Sequence, residues 1–322
     1  MRGAILCIMV LILASCGGGV PKPNDTKPSP PARIPEAIEL LDVIDGKIYS
    51  SELDDPAGLA FDIQGNLYVV DAGNNRILKF DRDLKPVKQY GGYGSGAGRL
   101  NNPRDIIIDR GLNVYVLDEG NGRIVRLDVN LNYIEEIVPK NDENEIIPTN
   151  SRYTGFSISS LGEITVSDFD NSRLIRMDNF FEFSRYIGDF GYGRGALLNP
   201  MKITTDEKGN IFVADAGNGR IAVYDAFGNY KHDIGADVVQ YPMATALTNS
   251  KMLWVADGET DSVHVFDAAR NPVAAFGNPS GLDRAFKDIH AVLISQNDKC
   301  YLADGGNDRV LIYRILYEAA DK

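Results

Sequence analysis

Three neighbouring stretches decide the fold: Pro56-Ala57-Gly58-Leu59-Ala60-Phe61-Asp62, then Gly65-Asn66-Leu67-Tyr68-Val69-Val70-Asp71, then Asn74-Asn75-Arg76-Ile77-Leu78-Lys79-Phe80-Asp81. Each is a run of aliphatic, β-branched and aromatic residues bounded by Gly, Asn and Asp, the pattern of a short strand between tight turns. Gly65 stands where such a turn demands a positive φ. The unit recurs along the chain. Its second strand ends in Asp at Asp71, Asp118, Asp168, Asp215, Asp257 and Asp304, with successive spacings of 47, 50, 47, 42 and 47 residues. A period in this range marks an array of supersecondary units that cannot bury their apolar faces alone. No stretch shows a helical period. Four antiparallel strands per unit, repeated radially, predict an all-β propeller.

The repeated D-x-x-N-x-R element and the glycine-rich links, such as Gly91-Gly92-Tyr93-Gly94-Ser95-Gly96-Ala97-Gly98, resemble the NHL repeat family. The resemblance covers residues 37–316 and implies a six-bladed β-propeller in which the links cross between blades. The sixth unit reaches only its third strand, at Val310-Leu311-Ile312-Tyr313, before a tail at 317–322. An unassigned strand, Ile38-Glu39-Leu40-Leu41-Asp42-Val43, precedes the first unit. It is expected to complete the last blade, so that the N-terminal strand closes the ring and no sheet edge is left open.

The chain begins differently. Arg2 and the apolar run Ala4–Ala14 are too short to span a bilayer, which takes ~20 apolar residues, and fit a secretory signal over residues 1–15. Leu13-Ala14-Ser15-Cys16 resembles a bacterial lipobox. The resemblance implies cleavage before Cys16 and acyl chains on that residue, and several chains anchor a protein far better than one. Residues 16–36 are read as a tether, and Pro21, Pro23, Pro28, Pro30, Pro31 and Pro35 make its stretch over 20–36 extended. At ~3.1 Å per residue it reaches up to ~50 Å. The expected location is the cell envelope, and Gly17 rather than Asp after the lipidated residue favours the outer membrane under the enterobacterial sorting pattern. Once Cys7 leaves and Cys16 is acylated, Cys300 is the last thiol, so no disulfide supports the mature domain. It is read as a buried small hydrophobe. The net charge of −12 disfavours nucleic acid and anionic surfaces at long range.

The commonest motif is read as scaffold. Asp71/Asn74/Arg76, Asp118/Asn121/Arg123, Asp168/Asn171/Arg173, Asp215/Asn218/Arg220 and Asp304/Asn307/Arg309 are near-identical copies on different blades, and five copies cannot serve one active site. Asp257, Thr260 and Ser262 break the pattern and are expected to leave a gap in the polar ring. The glycine-rich links at 91–98, 191–195 and 277–281 feed strands and not helices, so they lack the helix N-terminus of a phosphate cradle. Asp206-Glu207-Lys208-Gly209 is a hairpin, not a calcium loop. Some NHL-like propellers are zinc lyases with three His around the channel. Here the repeat register places His232 on an outer strand, His264 on a third strand and His290 near the start of an innermost strand, so no metal centre or cofactor is expected.

Function is expected where the repeats differ. The residue after each unit-opening position should ring one mouth of the central channel: Ala57, Arg104, Thr154, Met201, Met243 and His290. The next ring is Gly58, Asp105, Gly155, Lys202, Ala244 and Ala291. Arg104, Asp105, Lys202 and His290 are the candidate ligand-binding residues, with Tyr93, Tyr192 and Arg194 brought to the same face by the links. The polar link Lys140-Asn141-Asp142-Glu143-Asn144-Glu145 and the matching turn residues Phe180 and Phe227 are further departures from the repeat. No nucleophile–base pair stands out, so no catalytic residue is assigned. The sequence favours a non-catalytic, membrane-anchored platform for an envelope protein or a small ligand, as NHL propellers commonly are. The alternative is a lactonase- or lyase-type propeller enzyme with its site at the channel mouth.

Overall fold

The computed structural model describes residues 33–109, 112–140, 151–277 and 285–317, and they form six four-stranded antiparallel sheets. Blade 1 is Pro56–Phe61, Leu67–Asp71, Arg76–Phe80 and Pro86–Gly91. Blade 2 is Pro103–Ile108, Asn113–Asp118, Arg123–Asp128 and Tyr133–Ile137. Blade 3 is Tyr153–Ile158, Ile164–Asp168, Arg173–Met177 and Phe183–Ile187. Blade 4 is Pro200–Thr205, Ile211–Asp215, Arg220–Tyr224 and Tyr230–Ile234. Blade 5 is Pro242–Leu247, Leu253–Asp257, Ser262–Phe266 and Pro272–Gly277. Blade 6 takes Ile289–Ile294, Lys299–Asp304 and Arg309–Tyr317 from the end of the chain, and Pro35–Ile44 from its start. The first strand thus closes the ring as the truncated sixth unit requires. Its register runs from Pro35 opposite Tyr317 to Ile44 opposite Val310.

Alternation explains why neither face of a blade is left in water. The middle strands are buried on both sides, as in Leu67–Asp71 and Ile211–Asp215. Apolar side chains from adjoining blades merge into six clusters, one at each blade–blade interface. Phe80 and Leu78 meet Ile312 and Tyr301 where blade 1 joins blade 6. Trp254 and Phe276 stack at 5.7 Å between centroids in blade 5, beside Phe286 and Tyr313. Cys300 is buried there, and burial pushes its thiol well above the ordinary range.

The repeated Asp is the lock on each blade. Asp215 is fully buried, accepts the backbone N–H of Leu198 at 2.7 Å and meets Arg220 Nε at 2.8 Å. Arg220 also donates to the carbonyls of Gly193 and Ala196, so one guanidinium fastens the incoming link to the blade. Arg76 and Arg123 do the same for theirs. Blade 5 corrects the expectation of a gap. Its link, from Gly235 to Gln240, is short and turns on itself, with the N–H groups of Val238 and Val239 both donating to Gly235 O. Asp257 instead accepts the N–H groups of Gln240 and Tyr241, and Thr260, Ser262 and His264 form a neutral chain, with Ser262 Oγ 3.0 Å from His264 Nε2. The same shortening accounts for the 42-residue spacing.

Candidate functional site

Each innermost strand begins with a break in register. Pro56 pairs with Asp71 and Gly58 with Val70, so Ala57 is the extra residue of a β-bulge. The same break falls after Pro103, Tyr153, Pro200, Pro242 and Ile289. A bulge leaves one residue without a partner and re-aims its side chain. Here it turns Ala57, Arg104, Thr154, Met201, Met243 and His290 to a common concavity of 350 Å³ at one mouth of the channel.

Lys202 closes the floor. Its Nζ lies 2.8 Å from Asp105 Oδ1 and donates to Ala57 O at 2.6 Å. Asp105 Oδ2 accepts the N–H of Phe156. This bar joins blades 1, 2, 3 and 4 across the channel and separates the mouth from a second space of 340 Å³ below, lined by the innermost strands. Close packing around it needs small residues: a Cβ on Gly155 would stand 2.6 Å from Lys202 Cα.

The mouth has a charged side and an apolar side. On the charged side Arg104 Nη1 meets Asp55 Oδ2 at 2.9 Å, and its Nε lies 3.8 Å from Glu119. Asn102 donates to Glu119. Arg152 pairs with Asp170 and lies over the Phe169 ring at 4.0 Å. His290 Nδ1 is 3.0 Å from Asp55 Oδ1, too oblique for a well-formed hydrogen bond. Burial would raise the Asp55 carboxyl, but the nearby His290 and Arg104 outweigh it and hold it below the usual carboxylate range. Glu119 goes the other way: burial pushes its carboxyl up despite Arg104 and Asn102. Gly305 makes room for this cluster, since a Cβ there would stand 2.5 Å from His290 Nδ1 and 2.9 Å from Asp55 Oδ1. The apolar side is Met201, Met243 and Tyr241.

Of the residues singled out from sequence, Arg104, Lys202 and His290 line this concavity, and Asp105 lies beneath it as the partner of Lys202. Tyr93, Tyr192 and Arg194 stand on the same face but not in the lining. The two tyrosines are exposed at 74 % and 75 %. Tyr93 bridges to Leu100 within its own link, and Arg194 lies by Tyr230 on an outer strand. Glu119, Arg152, Phe169 and Tyr241 escaped the sequence reading. Glu119 and Phe169 each follow the blade Asp directly, and Arg152 and Tyr241 directly precede the strand-opening residue. Two more rings at those offsets would have named them. His232 and His264 lie on strands Tyr230–Ile234 and Ser262–Phe266, and among the described residues no three His, Cys, Asp or Glu side chains converge as a metal-ligand group. The link at 141–150 and most of 277–281 lie outside the described residues, as do the signal, Cys16 and the tether through residue 32.

Comparison with known proteins agrees with this architecture. Residues 53–80 match the NHL repeat and residues 182–214 match a beta-propeller repeat. Protein brain tumor of Drosophila melanogaster is 25 % identical over 38 % of this chain and 12 % of its own length. NHL repeat-containing protein 3 of Homo sapiens is 35 % identical over 21 % of this chain and 20 % of its own. The chain therefore spans a fifth or less of these curated relatives. A streptogramin B lyase structure superposes with a TM-score of 0.61 at 14 % identity, covering 87 % of this chain and 88 % of that one. Virginiamycin B lyase of Staphylococcus aureus, catalytically inactive and solved with quinupristin, gives 0.60 at 15 % identity, covering 88 % and 91 %. A Bacteroides thetaiotaomicron protein of unknown function gives 0.65 at 11 %, covering 84 % and 72 %. At these identities the structural likeness is one of fold. The chain is a six-bladed β-propeller that carries NHL-type and beta-propeller-type repeats.

Proposed function

We propose that this protein is a lipid-tethered binding propeller of a bacterial cell envelope, and that the bulge-lined mouth takes a small amphipathic ligand. The observation that supports this most directly is the convergence of all six bulge residues on one floored concavity, charged on one side and apolar on the other. That combination is the usual form of a small-molecule site. A ligand head group would exchange with the Arg104–Asp55 and Arg152–Asp170 pairs while its body packs on Met201, Met243 and Tyr241. Titration calorimetry of a panel of small amphiphilic acids, amines and short peptides tests the site. Binding should be lost in Arg104→Ala and Met243→Asp at unchanged melting temperature. Ligands that bind both variants normally would place recognition elsewhere. The tether is tested separately: the N-terminal peptide from native membranes should carry acyl mass on Cys16.

A second reading is a lyase-type enzyme, and His290 beside Asp55 is the observation that favours it. A His next to a carboxylate within a concavity can take a proton from a bound substrate, and Glu119, with its raised carboxyl, lies within the same mouth. Quinupristin is a rational first probe because of the fold likeness alone. Turnover that disappears in His290→Ala would replace the platform reading.

A further inference from the structure

The propeller has two faces, and the chain joins it on the one away from the mouth. In blade 6, Asp304 pairs with Arg309 at the mouth face, and the strand Arg309–Tyr317 runs from there to the far face. Pro35 pairs with Tyr317, so the N-terminal strand starts at the far face. Arg33 lies there too, 4.3 Å from the Tyr317 ring centre and 3.7 Å from Asp298 in a far-face turn.

That face carries four large apolar side chains at turn tips. Ile63, Leu161, Phe180 and Phe227 are exposed at 76 %, 75 %, 77 % and 71 %. Their turns are held from within. Asp178 Oδ1 accepts the N–H of Phe180 at 2.9 Å, and Asp225 Oδ1 that of Phe227 at 2.8 Å. Ser159 Oγ accepts the N–H of Leu161. Arg185 donates to Phe227 O, tying the blade 3 and blade 4 tips together. The side chains are therefore presented outward on fixed backbone.

We infer that the far face rests on a lipid surface, with these four tips in the headgroup–acyl boundary and the mouth turned away from the membrane. The inference rests on the tether from Cys16 proposed above. A tether that enters on this face keeps it near the bilayer at high effective concentration, so a few interfacial side chains suffice to orient the domain. The four tip side chains are themselves uncharged, so the contact inferred is apolar. It should not weaken with salt, as an attraction between charges does.

Trp254 is the only tryptophan and is buried, which gives a constant background for fluorescence. Full-length Phe180→Trp, Phe227→Trp and Tyr93→Trp proteins, purified from membranes, are reconstituted into phosphatidylcholine vesicles with plain or brominated acyl chains. Emission from the new Trp in Phe180→Trp and Phe227→Trp should be quenched by the brominated lipid, in low and high salt alike. Emission in Tyr93→Trp, on the mouth face, should not. Protein that floats with the vesicles but shows no quenching at either far-face position, or equal quenching in Tyr93→Trp, overturns the orientation. The far-face tips would then be a surface for a protein partner. Protein that fails to float with the vesicles defeats the tether, and the orientation with it.

Discussion

Removing Arg220 should cost far more than its single pair suggests. Its side chain is 8 % exposed, and its partner Asp215 is not exposed at all. Arg220→Ala leaves that carboxylate buried against Leu198 and Asn218 with no cation, and it frees the Gly193 and Ala196 carbonyls of the link. Breaking a buried pair from one side costs ~3–5 kcal/mol. For a domain of this size each 1 kcal/mol moves Tm by ~2–4 °C, so melting should fall by ~6–20 °C. Arg173 occupies the same position in blade 3, but its side chain is 27 % exposed and its Nε stands 3.1 Å from Asp168. Water screens that site, and Arg173→Ala should cost about half as much or less. The assay is differential scanning calorimetry of both variants at neutral pH. The double variant Asp215→Ala/Arg220→Ala should recover part of the loss, because the stranded charge is gone. Equal shifts for Arg220→Ala and Arg173→Ala, or a double variant no better than Arg220→Ala, would refute the account of the lock as a desolvated ion pair.

Three further outcomes are expected. Deleting residues 35–44 strips the outer strand from blade 6 and bares the edge of Arg309–Tyr317, so the protein should aggregate or melt without cooperativity in light scattering and calorimetry; a soluble, sharply melting variant would disprove closure. Burial holds the His264 imidazole below its ordinary value of 6.5, with Asp257 opposing only in part. A depressed His is stabilising while neutral, so stability should be intact above that value and decline as pH falls below it. His264→Gln should flatten the decline in a Tm–pH series, though not abolish it, since His232 is depressed by burial too. Gly305→Ala forces a methyl against His290 and Asp55 and should weaken ligand binding in calorimetry more than it lowers Tm.

The fold was legible because it is written six times. Aliphatic strand and Asp recur in every unit, Asn and Arg in five of the six, and one strand too few at the end met one too many at the start. The mouth was legible in part for the same reason. Aligning the repeats found Arg104, Lys202 and His290, since a shared register carries each bulge residue to the channel. It did not find Glu119, Arg152, Phe169 and Tyr241, which belong to turns at other offsets. Nor did it show that Arg104 would turn to Asp55, just outside the first strand of blade 1, while Asp105 reaches Lys202 two blades away. Links are harder still. Tyr93, Tyr192 and Arg194 sit in segments whose paths are set by glycines at positive φ, among them Gly92, Gly94, Gly191 and Gly195. Blade 5 does without the Arg: Asp257 holds its shorter link through the N–H groups of Gln240 and Tyr241, which the repeat alignment does not reveal.

The rod that Lys202 and Asp105 lay across the hub divides the axle into an upper and a lower chamber. A guest settling from above finds an ammonium and a carboxylate as its floor, and those same two groups roof whatever sits beneath. One pair of side chains thus faces both rooms, and exchanging either would be felt in each.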